Sequence, residues 1–179
     1  MGRTKNSSEF SIFYLIASIL TWILTVGWML LIFYLSSENG SDSTMRSSEF
    51  VVYINQNFGI EITEMIVRKS THIIEFTVLT LLTFLSIRFT NMISPHTAYS
   101  ESPVKMIKSD NELYIALTLW FTVLFSVLDE YHQLFVTGRS GSILDVCIDL
   151  IGIVVMLLII RLVFTLYLIK LGKSEVRYD

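Results

Sequence analysis

Four stretches of this chain are apolar over a length that crosses a bilayer, and charge invades three of them from the same end. The apolar runs cover about residues 11–35, 67–89, 113–130 and 143–168, near the roughly 20 residues a helix needs to traverse a hydrocarbon core. The second opens VRKSTHIIEF, the third ends FSVLDE and the fourth opens ILDVCID. This pattern predicts an all-α integral membrane protein, with four transmembrane helices in one domain over residues 1–179. At 100° per residue, Arg68, Lys69, His72 and Glu75 fall within about 120° of arc on one helix face. Beyond Glu75 only Phe76 to Ile87 is free of charge, too short to span alone, so the polar turns are drawn into the membrane. Asp145, Asp149 and Gly152 share about 60° of arc on the fourth helix, the glycine removing bulk where a neighbour packs.

Counting at about 1.5 Å per residue from the opposite ends puts Glu75, Asp129 and Asp149 about 18, 24 and 18 Å deep. Within a core about 30 Å thick, that is one layer. Ionisable groups in a span are expensive enough to mark function, so the three stripes predict one shared polar site.

Charge asymmetry orients it. Arg3, Lys5, Arg88, Lys105, Lys108, Lys170, Lys173 and Arg177 lie at the termini and middle loop, against Arg46, Arg68, Lys69 and Arg139 on the other side. The positive-inside rule therefore predicts cytoplasmic N- and C-termini and a site that faces outside, in the outer leaflet. The first apolar run follows a basic tip but exceeds a signal-peptide core and lacks a small-residue cleavage site, so it is expected to remain as a helix. Residues 36–66 read as a polar outer segment with a short amphipathic piece opened by Ser47 and Phe50, lying on the interface. Thr90–Glu112, with Pro95 and Pro103, reads as an irregular connector, and His96 in it as a solvated residue.

Composition narrows the classes further. With 53% hydrophobic residues and a mean hydropathy of +0.61 over 179 residues, the chain lacks the polar surface of a soluble domain. A net charge of −3 without a basic patch excludes a nucleic-acid partner. Cys147, the single cysteine, reads as a small buried apolar residue.

The block DEYHQLFVTGRSGSILDVCID concentrates the chemistry. Arg68, Lys69 and Arg139 suit a phosphate or carboxylate, Arg139 being presented by a turn with Gly138 and Gly141; pairing of Arg139 with Asp145 or Asp129 is the structural alternative. Gln133 supplies an amide, Asp145 complements the dipole of its helix, and Ser140 or Ser142 caps it. His72 and His132 can switch charge.

The residues carry three functions. In the first, Arg68, Lys69, Gln133, Arg139, Asp145 and Asp149 bind the head group of an anionic membrane lipid or lipid-linked envelope molecule. In the second, a membrane-embedded hydrolase or transferase uses His72, Glu75, Asp129 and Glu130, with His72 or Glu130 as general acid or base and Glu75, Asp129 and Asp149 orienting it or holding a metal ion. In the third, the charges only fix helix packing, although five acids face three permanent cations. H-x-x-E lacks the H-E-x-x-H spacing of zinc sites, and no G-x-S-x-G element is present.

At three places the chain resembles the VanZ-like family of small bacterial membrane proteins: FYLSSE after the first span, the run Arg68, Lys69, His72, Glu75, and the DExxQLFVxGRxGSxxDVxID block followed by Gly152. The resemblance implies a multi-pass protein of the bacterial plasma membrane. The family's name-giving member is associated with resistance to teicoplanin, a lipid-bearing glycopeptide antibiotic, so the resemblance also implies a role in the cell envelope.

Overall fold

The computed structural model describes residues 11–93 and 103–175. Among them every regular element is a helix: α1 (Ile12–Ser36), α2 (Gly40–Phe58), α3 (Glu64–Met92), α4 (Pro103–Gln133) and α5 (Ile143–Glu175). Four of these contain stretches long and apolar enough to cross a membrane, Ile12–Ser36, Glu64–Met92, Asn111–Gln133 and Ile143–Lys170. The basic residues Arg3, Lys5 and Arg177, along with Pro95 and His96, lie outside the described residues.

α3 is the central helix and touches each of the other four. Its buried Phe76, Leu79 and Phe84 meet Ile32 of α1 and Ile153, Leu157 and Ile160 of α5, and Phe76 lies 6.2 Å from Phe125 of α4 between ring centroids. Apolar burial alone does not drive helices together in lipid, so close approach and interhelical hydrogen bonds carry more of the association. Both are present. A Cβ at Gly152 would sit 2.3 Å from the Ile73 carbonyl oxygen, so α5 lies directly on the α3 backbone there. α1 is fastened to α3 by Ser18–Thr90 (2.7 Å), Thr25–Ser86 (3.0 Å) and the Trp28 indole N–H to the Glu75 carbonyl (2.9 Å).

Two stretches differ from expectation. The segment between the first two apolar runs carries a full helix of 19 residues, α2, in place of a short amphipathic piece. It buries only Ser43 and Ser47, small enough to pack closely, and it ends where Gly59 takes φ 64° and returns its N–H to the Asn55 carbonyl. The connector is also shorter than the sequence suggests: α3 continues to Met92 and α4 begins at Pro103, where a proline's missing N–H is harmless at a first helical position. Cys147 is exposed on α5, not buried, because it points away from the face that carries Asp149 and Gly152.

Candidate functional site

At one end of the bundle, four acids are buried together: Glu75 on α3 (7% exposed), Asp129 (1%) and Glu130 (5%) on α4, and Asp149 (0%) on α5. Each is held by groups that local structure delivers. α1 ends at Ser36, whose hydroxyl donates to Asp129 Oδ2 at 2.9 Å. One turn beyond Asp129, Gln133 donates from Nε2 to Asp129 Oδ2 (3.1 Å) and to Glu130 Oε1 (3.2 Å). Glu130 Oε2 accepts the backbone N–H of Ser142 at 3.0 Å, an orphan donor at the start of α5. Ser142 is the N-cap: its hydroxyl accepts from the Asp145 N–H (3.3 Å) and donates to the Asp145 carboxylate (3.2 Å). Gly141 makes this possible, since a Cβ there would lie 2.0 Å from the Glu130 carbonyl oxygen.

The α3 and α5 stripes meet at His72 and Asp149. His72 Nδ1 stands 3.4 Å from Asp149 Oδ1, and Ser126 of α4 donates to Asp149 Oδ2 at 2.7 Å. Ligand-capable atoms of His72, Glu130 and Asp149 all lie within 4.8 Å of one another.

The cations are arranged differently. Arg139 does not pair with Asp145 or Asp129: its Nε donates to the Glu38 carbonyl (3.1 Å) and its Nη2 to the Leu35 carbonyl (3.0 Å). The Leu35 carbonyl, in the last turn of α1, carries the negative end of that helix dipole and draws the guanidinium, and the Glu38 carbonyl lies just beyond the helix end. Burial pulls the Arg139 pKa down from the usual arginine value, with the Arg68 guanidinium nearby acting in the same direction. The loop carrying Arg139 is tied to α2 where Gly40 donates to the Thr137 carbonyl (3.0 Å) and a Cβ at Gly40 would strike the Gly138 carbonyl oxygen at 2.0 Å. Arg46 of α2 pairs with Glu38 at 2.6 Å. Among the described residues, no lysine or arginine forms an ion pair with any of the four buried acids.

Two adjoining cavities open beside these groups. The larger, about 580 Å³, lies between α2, α3 and the end of α1; Arg46, Arg68, Arg139, His72 and Glu75 line it with the apolar Leu35, Phe50, Tyr53 and Val67. The smaller, about 220 Å³ and mostly polar, is lined by Arg68, Lys69, His72, Glu130, Gln133, Arg139 and Asp145. Arg68, His72 and Arg139 belong to both.

Every residue named from the sequence as a site candidate therefore lies at this end of the bundle, though not in one role. His72, Glu130 and Asp149 converge; Glu75, Arg68 and Lys69 face the cavities; Gln133 and Asp145 hold other side chains and a helix start in place. His132 stands apart, stacked on Phe33 at 4.1 Å and bonded to Ser37 at 3.0 Å. Sequence reasoning missed the site roles of Ser36, Ser126 and Arg46. The serine pair after the first span was the available signal for Ser36, and Arg46 had only its polar segment.

A family model described as VanZ/LLP1 matches residues 21–165, a stretch that holds every side chain of the site. No curated protein and no solved structure matches the chain.

Proposed function

The chain belongs to the VanZ/LLP1 family, and from that premise we propose that it is a multi-pass protein of the bacterial plasma membrane that binds or remodels an anionic envelope amphiphile. The ligand class is a phospholipid, a lipid-linked wall precursor or an acylated glycopeptide, and the associated phenotype is tolerance of teicoplanin-type antibiotics. The observation that carries the reading is the larger cavity. Its volume of about 580 Å³ is that of a ligand site, and it sets three arginines beside an apolar wall. Guanidinium groups match phosphate and carboxylate oxygens, while Leu35, Phe50, Tyr53 and Val67 suit an acyl chain. α2, which is not among the four span-length apolar helices, forms one wall, and this supports a cavity at head-group depth.

The lysine and arginine asymmetry supports cytoplasmic termini with the cavity outside. In a Cys147→Ala background, a cysteine placed at Glu49 is expected to react with an impermeant reagent in intact cells. Labelling only after lysis would reverse the orientation.

Native mass spectrometry of the purified protein tests the ligand class. Retention of phosphatidylglycerol over phosphatidylcholine is expected. Arg68→Ala is expected to weaken it about tenfold, the factor for losing one charge-assisted hydrogen bond of about 1.4 kcal/mol. Equal retention of both lipids would reject the reading. A second reading, a hydrolase or transferase acting on the head group, draws on the His72–Asp149 contact at 3.4 Å, an acid–base pair at the cavity wall; hydrolysed lipid in the same spectra would favour it.

A further inference from the structure

We propose that His72, Glu130 and Asp149 form a binding site for one divalent transition-metal cation, such as Mn²⁺ or Zn²⁺. This goes beyond the lipid reading and does not depend on it. The three side chains come from three helices, α3, α4 and α5, yet their ligand-capable atoms all lie within 4.8 Å of one another. Donors about 2.0–2.2 Å from a tetrahedral ion stand roughly 3.3–3.6 Å apart, so side-chain shifts of about an ångström close the set. One imidazole nitrogen with two carboxylates suits first-row divalent ions, the imidazole favouring Zn²⁺ and the carboxylates accepting Mn²⁺, whereas calcium and magnesium prefer oxygen alone.

A second observation points to a ligand. Asp149 is 0% exposed, and among the described residues its Oδ1 accepts no hydrogen bond; His72 Nδ1 faces it at 3.4 Å, in ion-pair range but outside hydrogen-bond geometry. A buried carboxylate oxygen without a donor carries a large desolvation penalty. The other carboxylate oxygen of Asp149 is fixed by Ser126, and Glu130 is oriented by Gln133 and the Ser142 N–H. Hydrogen bonds to the far side of metal ligands are the usual means of aiming them. Because no lysine or arginine among the described residues is ion-paired with any of the buried acids, a dication also offsets their charge. His72 and Glu130 line the smaller cavity, which gives an aqueous ion its path.

The test uses full-length protein in detergent, stripped with a chelator and titrated with Mn²⁺, followed by electron paramagnetic resonance, and with Zn²⁺ by equilibrium dialysis. One saturably bound ion per chain and a rise in thermal unfolding midpoint on loading are expected. Asp149→Asn and Glu130→Gln should each weaken binding by at least about tenfold, as should loss of the Asp149 support in Ser126→Ala. Glu112→Gln, at the opposite end of the bundle, should bind as the parent does. If Asp149→Asn does not fold, Glu130→Gln with a parental midpoint decides. Absence of saturable binding by either ion, or parental affinity in folded Glu130→Gln, overturns the proposal and shows His72–Asp149 to be an ion pair alone. Lipid retention by the stripped protein is read in parallel, so that a failure here is distinct from a failure of the cavity reading.

Discussion

Gly152→Val is expected to leave little folded protein in the membrane, and Gly27→Ala to raise the thermal unfolding midpoint, although both add bulk to a helical glycine. At Gly152 the new Cβ would stand 2.3 Å from the Ile73 carbonyl oxygen and 2.9 Å from Thr77 Oγ1. A backbone carbonyl cannot swing aside, so α5 must lift off α3, opening the layer where Ile153 packs on Phe76 and where His72 meets Asp149. That loss exceeds the roughly 1–3 kcal/mol of ordinary overpacking. At Gly27, nothing lies within 4 Å of the added Cβ, and only the helix-propensity gain of alanine, roughly 0.5–1 kcal/mol, remains. Thermal unfolding of both variants in detergent checks the pair. A parental midpoint for Gly152→Val would mean that α3 and α5 do not touch as described.

The same glycine shows what the sequence made legible. Gly152 stood out because it shares a helix face with Asp145 and Asp149, and a face with two acids and a glycine has to meet another helix. His72 and Glu75 stood out for a related reason: a short charge-free remainder forces them into the apolar layer. Charge inside a span is a strong signal because its penalty is large, and the three stripes do converge. What stayed hidden is held by neutral or backbone groups. Ser36 and Ser126 carry no penalty that would mark them, yet each fixes an acid on another helix. α2 was foreseen only as a short piece because its first half is serine-rich and lacks a long apolar stripe; the buried Ser43 and Ser47 show that small size, not hydropathy, seats it. For Arg139 the sequence offers an acid as the alternative to a ligand, since carboxylates are visible in a sequence and the carbonyls of a helix end are not.

Arg139 and Arg68 line the same cavities, and their alanine variants are expected to separate structure from ligand binding. Arg139 donates to the Leu35 and Glu38 carbonyls, so its removal leaves the partly buried Glu38 carbonyl without a donor, at about 1–3 kcal/mol where water does not reach it, and the Leu35 carbonyl with only the Glu38 N–H at 3.4 Å. Arg139→Ala should therefore lower the unfolding midpoint and weaken the envelope phenotype together. Arg139→Lys should recover only part of the midpoint, because an ammonium cannot fork across two carbonyls as a guanidinium does. Arg68 is exposed and has no hydrogen-bond partner among the described residues, which places Arg68→Ala within about 0.5 kcal/mol of the parent. Its phenotype should nonetheless fall as far as that of Arg139→Ala, because under the proposed function both present charge to the same head group. Midpoint and glycopeptide tolerance are to be measured on the same preparations. An unchanged midpoint for Arg139→Ala would refute the carbonyl anchoring. Arg68→Ala with parental tolerance would remove the head group from the cavity, leaving Arg46 and Arg139 as ties to the chain after α1.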